Sequence, residues 1–184
     1  LGEDPSKGVK IDTGLPDLAR KQLKACLKEN ADLFSWSAIE MSGLDPEVAC
    51  HQLTIDLAAS AVVQRRRYNQ IPMAKADKEK MAFMTESGNY YNVIPFSLKN
   101  AGATYQRMMN KVFQGEIGDM LEVYMDNMIV KSHEETDHAA HLQKVFEQAR
   151  QCKMRFNPKK RTFRVRAGKF LGFYLIERGI EANP

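Results

Sequence analysis

The sequence predicts an α+β fold, and three observations predict it. Short β-favouring runs flank the polar turn Tyr124-Met125-Asp126-Asn127: Leu121 and Val123 before it, Met128, Ile129 and Val130 after it. Two such runs around a turn are the pattern of a hairpin. On either side of it, apolar residues recur at helical spacing: Tyr105, Met108, Met109 and Val112 upstream, Leu142, Val145, Phe146 and Ala149 downstream. From Met154 onward the chain reads as strands broken by Asn157-Pro158, Ala167-Gly168 and Arg178-Gly179. The expected architecture is an antiparallel sheet with the two amphipathic helices on one face.

In chain order, residues 1–14 are polar and glycine-containing and read as a loose leader. Pro16 suits the first turn of a helix, because its missing N–H would have no partner there. Ala19, Leu23, Cys26 and Leu27 continue that helix, and Asp32-Leu33-Phe34-Ser35-Trp36 ends it. Residues 37–50, with Gly43 and Pro46, read as irregular. His51 to Asp56 alternates as a short strand, and Ala61-Val62-Val63 reads as another. A short charged helix is expected over 74–82 and a strand from Tyr90 to Ile94. After the hairpin, Ser132-His133-Glu134-Glu135 has the spacing of a capping box. There are no internal repeats.

The length of 184 residues fits one domain. No apolar run approaches the length of a membrane span, and the first residues do not read as a signal peptide. Leu1 in place of Met suggests a fragment of a longer translation product. Cys26, Cys50 and Cys152 have no paired spacing, which argues for a reducing compartment and against a disulfide framework. Net charge is only +4, but its distribution is uneven. Lys153, Arg155, Lys159, Lys160, Arg161, Arg164, Arg166 and Lys169 occupy a stretch without acidic residues, and Arg65-Arg66-Arg67 is a second basic run. Such clusters suit a phosphate backbone; the competing reading is a solvated basic face. His133, His138 and His141 lie close in sequence but have no carboxylate or thiol at ligand spacing, so a structural or solvent-exposed role is expected.

The hairpin turn carries the chemistry. A sheet can hold adjacent carboxylates rigidly there for divalent metal, and in-line phosphoryl transfer with two Mg²⁺ ions uses such a site. Around it stand Ile94-Pro95-Phe96-Ser97-Leu98-Lys99-Asn100-Ala101-Gly102-Ala103-Thr104-Tyr105-Gln106 upstream and Lys169-Phe170-Leu171-Gly172-Phe173 downstream. This order resembles the palm of reverse transcriptases from gypsy-type LTR retrotransposons, especially those of plants. There the pattern runs M-P-F-G-L-x-N-A, then Y-x-D-D, then F-L-G. The resemblance covers most of residues 20–184.

The resemblance implies an RNA-directed DNA polymerase with Mg²⁺ as cofactor, acting on an RNA template and a DNA primer inside the cell, in a cytoplasmic particle or the nucleus. It implies that Asp126 is a catalytic, metal-binding residue. It places Tyr68, Phe96, Ser97 and Gln106 at the nucleotide and Phe170, Leu171 and Gly172 at the primer grip. Residues 1–60 correspond to an upstream linker and pre-fingers segment. Residues 61–184 correspond to a partial palm that ends where the thumb connection starts.

The departures from the pattern matter as much. Asn127 replaces the second hairpin aspartate and loses a unit of negative charge. The family's first catalytic aspartate precedes S-G-Y-x-Q-I; here Tyr68-Asn69-Gln70-Ile71 is kept, but Val63 stands at the aspartate position and Arg66-Arg67 replace the serine and glycine. Gln64-Arg65-Arg66-Arg67 resembles a segment the family places before the fingers, which implies an internal deletion. Ser97 replaces a glycine beside the nucleotide pocket, Arg161 stands where these elements often carry cysteine, and Gly88 to Val93 is one residue shorter than the family strand.

The expected function is a catalytically inactive palm remnant. The alternatives are a non-catalytic nucleic-acid-binding module using the basic C-terminal strands, and an active enzyme if Asp56, Asp77 or Asp119 were to approach Asp126. A strand over 60–66 beside the hairpin is expected to replace the lost first-aspartate strand.

Overall fold

The computed structural model describes residues 7–11, 14–37, 40, 43–50, 52, 67–78, 82–83, 89–90, 93–95, 100–125, 127–132, 137–163, 168–171, 173–176 and 179–182. Among them are three α-helices, α1 (Asp17–Glu29), α2 (Ala101–Val112) and α3 (His138–Gln151). The strands are short: β1 (Lys10–Ile11), β2 (Arg67–Pro72), β3 (Ala82–Phe83), β4 (Asn89–Tyr90), β5 (Val93–Pro95), β6 (Leu121–Tyr124), β7 (Asn127–Val130), β8 (Thr162–Phe163), β9 (Gly168–Phe170), β10 (Phe173–Ile176) and β11 (Gly179–Ala182). The class is α+β.

Pro16 sits at the N-cap of α1 with an extended backbone, so its ring costs no helical hydrogen bond. Asp17 in the first turn and Lys28 in the last complement the helix dipole. The buried face of α1 is Leu23, Cys26 and Leu27, and it packs on α3, which buries Leu142, Val145, Phe146 and Ala149. Asn30, buried at the end of α1, satisfies its carboxamide on both sides. Its Nδ2 donates to the Cys26 carbonyl (2.8 Å) and to Gln143 Oε1 (2.7 Å), and its Oδ1 accepts from Arg150 (2.9 Å). Arg150 also donates to Asp32 (2.9 Å). That hydrogen bond holds the Asp32 carboxyl below its ordinary pKa.

Within the segment expected to be a loose leader, Lys10 and Ile11 are held in a strand. β1 pairs with β8 in parallel, Lys10 opposite Thr162 and Ile11 opposite Phe163. Farther on, the Phe156 N–H donates to the Leu33 carbonyl (2.8 Å) and the Ser35 N–H to the Phe156 carbonyl (2.9 Å). Phe34 then lies among Phe146, Phe156 and Phe163, with ring centroids 5.8, 6.3 and 6.1 Å away. The upstream segment expected to be linker-like thus contributes Leu23, Leu27, Leu33, Phe34 and Leu44 to the same core as the downstream helices. A linker reading missed this because the partners lie more than a hundred positions away.

Several local expectations shift. The 74–82 segment holds a short 3₁₀ turn, Lys75–Asp77, and then β3. The strand expected from Tyr90 to Ile94 is divided between β4, which pairs with β3, and β5, which pairs with β2. The described strands form separate small ladders, with β9, β10 and β11 the one three-stranded sheet among them. Helix α3 starts at His138 with Asp137 at its N-cap and no side-chain cap, so Ser132 does not cap it. Instead the Ser132 hydroxyl meets His138 Nδ1 (3.1 Å) and His141 Nδ1 (2.8 Å), tying the end of β7 to the first turn of α3. The strands expected over 51–56 and 60–66 lie outside the described residues, apart from Gln52, which is exposed.

Candidate functional site

The hairpin forms where the sequence places it. β6 and β7 pair antiparallel with Leu121 opposite Val130, Glu122 opposite Ile129, Val123 opposite Met128 and Tyr124 opposite Asn127. Alternation sorts the side chains. Leu121, Val123, Met128 and Val130 pack on the core, while the Glu122 carboxylate meets the Lys131 ammonium at 2.7 Å. Two positions separate the paired Tyr124 and Asn127. Loops of that length favour turns whose first central residue has positive φ, and Met125 adopts φ 52°. For a residue with a Cβ this conformation costs about 1 kcal/mol, so something nearby must hold it.

That support comes from α2. Gln106 Oε1 accepts from the Met125 N–H (2.6 Å), and its Nε2 donates to the Val123 carbonyl (3.2 Å) and to Asn110 Oδ1 (2.9 Å). Gly102, one turn earlier on α2, lies beside the Met125 side chain: a Cβ added there would meet Met125 Cε at 3.5 Å, an ordinary contact. Tyr124 and Met125 remain exposed at the tip, and Asn127 is exposed beside them. Asp126 itself lies outside the described residues, as do Phe96, Ser97 and Gly172.

Tyr68 lies on β2 opposite Ile94 of β5, in a ladder whose register shifts between Tyr68 and Pro72. Two positions on, Gln70 makes a contact that sequence reasoning missed. Its Oε1 accepts from the Arg155 N–H (2.6 Å) and its Nε2 donates to the Arg155 carbonyl (2.8 Å). A two-armed carboxamide grip on backbone carries no periodic signature; the sole signal was the glutamine of the Tyr68-Asn69-Gln70-Ile71 motif. Phe170 and Phe173 are opposed across the β9–β10 turn, where Leu171 also has positive φ, 52°. Leu171 and Phe173 are exposed.

The basic stretch is partly neutralised from within. Lys153 lies 3.7 Å from Asp45. Arg155 donates to the Asp32 carbonyl and lies 3.9 Å from its carboxylate. Arg161 stacks over Phe156 at 5.5 Å. Lys159 and Lys160 are exposed on the turn Pro158–Lys160. Of the three carboxylates named as alternatives beside Asp126, Asp77 is buried in its 3₁₀ turn, Asp119 is exposed just before β6, and Asp56 lies outside the described residues. Among the described residues, no three His, Cys, Asp or Glu side chains converge to hold a metal ion.

The profile of the reverse transcriptase (RNA-dependent DNA polymerase) family matches residues 10–175. The chain belongs to the reverse transcriptase family. It is similar to the retrovirus-related Pol polyprotein from transposon gypsy of Drosophila melanogaster, 33% identical over 118 residues, which are 64% of this chain and 11% of that protein. The Pol polyprotein from transposon 297 of the same species is 35% identical over 132 residues, 71% of this chain and 12% of that protein. The transposon Tf2-7 polyprotein of Schizosaccharomyces pombe is 31% identical over 114 residues, 61% of this chain and 8% of that protein. The chain thus spans about a tenth of the length of these relatives. Among solved structures, prototype foamy virus protease-reverse transcriptase (CSH mutant) matches 93% of this chain and 34% of its own at a TM-score of 0.65 and 14% identity. A foamy viral protease-reverse transcriptase in complex with dsDNA matches 65% of this chain and 25% of its own at a TM-score of 0.56 and 20% identity. At these identities the likeness shows the fold alone. The reverse transcriptase kinship and the gypsy-type relatives are those the motifs implied.

Proposed function

We propose that this chain is a reverse transcriptase palm that has kept its scaffold and lost polymerase chemistry. The observation that carries this reading is the loss of acid at two ligand positions: Val63 where the family has its first catalytic aspartate, and Asn127 where it has the second hairpin aspartate. Two Mg²⁺ ions a few ångströms apart repel strongly and coexist only when several carboxylates and the substrate phosphates neutralise them. Mg²⁺ also demands hard oxygen ligands in near-octahedral geometry. Asp126 with one neutral carboxamide does not fit that requirement, so no catalytic step is assigned to the metal here. An internal deletion between the pre-fingers strand and Tyr68 accounts for both Val63 and the basic run, and transcript sequence across Gln64 to Tyr68 tests it.

The decisive assay is primer extension on an RNA template with Mg²⁺ or Mn²⁺. The expected result is no extension by the wild type or by Asn127→Asp, because the upstream acid is still missing. Extension by either protein above a no-enzyme control overturns the reading. A second reading, a residual nucleic-acid-binding module, draws on the exposed Lys159 and Lys160 and on exposed Leu171 and Phe173. Binding of an RNA/DNA hybrid should then weaken as salt rises. Replacing both lysines by glutamine should reduce the logarithmic salt slope by about two. Salt-independent or absent binding removes this second reading.

A further inference from the structure

We propose that Gln106 is the positioning residue of the Tyr124–Asn127 turn, acting as a one-residue substitute for a neighbouring strand and not as a contact to nucleotide phosphate. The argument starts from ladder geometry. In a two-residue hairpin the residues flanking the turn exchange hydrogen bonds, so Tyr124 and Asn127 point their backbone groups at each other. The backbone groups of Leu121, Val123 and Met125 therefore face the opposite, outer edge of β6. The contacts agree. The Leu121 N–H donates to the Glu116 carbonyl and its own carbonyl accepts from Gly118, both at 3.0 Å. Gln106 then takes the Val123 carbonyl and the Met125 N–H, the acceptor and donor that an adjacent strand would take.

Two consequences follow. Among the described residues the outer edge of β6 is occupied at Leu121 by a loop and at the Val123 carbonyl and Met125 N–H by a side chain, which leaves the β7 edge the more open to a further strand. And Gln106 has no donor left for a ligand. A carboxamide has two N–H donors, and those of Gln106 go to Val123 and Asn110. Phosphate oxygens accept hydrogen bonds and offer none at neutral pH, so the carboxamide has nothing to give a nucleotide's phosphates while it holds the turn. The amide orientation is itself determined: the Met125 N–H needs the oxygen, and the Val123 carbonyl needs the nitrogen. Gln106 thus ties α2 to the turn and holds Met125 in its left-handed conformation.

The test is residue-resolved amide hydrogen exchange, with Leu121 as the internal reference because its acceptor, Glu116, does not depend on Gln106. In the wild type the Met125 amide should exchange slowly. In Gln106→Leu it should exchange at least tenfold faster relative to Leu121, whereas general destabilisation would accelerate both alike. Gln106→Asn keeps the carboxamide but falls one methylene short of the turn, so Met125 should again exchange at least tenfold faster relative to Leu121. An unprotected Met125 in the wild type, or an unchanged Met125-to-Leu121 ratio in Gln106→Leu, overturns the proposal. If Gln106→Leu does not fold, Gln106→Asn decides: a Met125-to-Leu121 exchange ratio raised at least tenfold supports the role and an unchanged ratio overturns it. No metal, nucleotide or nucleic acid enters the measurement, so its outcome is independent of whether polymerase chemistry has been lost.

Discussion

Phe34→Ala measures whether the upstream segment is part of the fold or merely attached to it. Phe34 is 5% exposed and lies edge-on to Phe146 and Phe163. Truncation removes the ring, opens a cavity that the surrounding helix and strands refill only in part, and forfeits the aromatic contacts. Phe→Ala in a core costs about 3–5 kcal/mol, and each well-placed aromatic pair adds about 0.5–1.5 kcal/mol beyond area. With three rings around Phe34, the upper part of the first range applies, about 4 kcal/mol. That is a large share of the roughly 5–15 kcal/mol that holds a domain together. Urea unfolding followed by circular dichroism reads the effect. With a slope of about 2 kcal/mol per molar, the midpoint should fall by about 2 M with the slope unchanged. Phe34→Leu, which keeps most of the volume, should lose less than half as much. A midpoint shift in Phe34→Ala below about 0.3 M would refute the packing argument, since a linker residue can be truncated without cost.

Three further outcomes are expected. The Arg150 hydrogen bond lowers the Asp32 pKa below its ordinary 3.8, so its stabilisation is present above that value and lost as pH falls through the folded one. Asp32 is half exposed, which limits the pair to about 0.5 kcal/mol; the gap between wild type and Asp32→Asn should persist above the ordinary value of 3.8 and close as pH falls below it in urea midpoints. Burial, aided by Glu29, pushes the Cys26 thiol from 9.0 up to about 11, so its neutral form favours the folded state below pH 9 and that contribution disappears as pH rises through 11. Cys26→Ala should flatten the alkaline loss of stability over that window, and at pH 8 a maleimide should label exposed Cys50 well before Cys26. Met125 tolerates positive φ, but a β-branched side chain does so poorly. Met125→Val should therefore lower the thermal midpoint by an amount worth about 1 kcal/mol while Met125→Gly leaves it nearly unchanged; equal effects would show that the turn is not left-handed.

Periodic features were legible in the sequence and non-local ones were not. The stripes of α2 and α3 could be read because Met108, Met109 and Val112, or Leu142, Val145 and Phe146, repeat at the pitch of the helix that buries them. The hairpin could be read because its two apolar runs alternate around a short polar turn. The β1–β8 pairing was hidden because two residues make no pattern and the partner lies far along the chain. The Ser132 capping box was a genuine local match, but its hydroxyl is taken by two histidines across the turn. The partners of Arg155 and Lys153 in the basic run were hidden because Asp32 and Asp45 come from the other end of the sequence. The grips of Gln70 and Gln106 were the least legible part of the site, since a glutamine that bonds backbone looks in sequence like any exposed polar residue.

The pairing of the Leu33–Ser35 segment with Phe156 sets an order on synthesis. Helix α1 and Phe34 leave the ribosome early, yet the ring cluster and the hydrogen-bond partners they need come more than a hundred residues later. At about 5–20 residues per second, that wait is on the order of ten seconds. Throughout it Leu23, Leu27 and Phe34 have no core to enter, and the nascent chain offers them to chaperones and proteases instead. A ribosome that stalls, or a protease that cuts, between residues 36 and 153 therefore releases an N-terminal piece with no route to its native contacts.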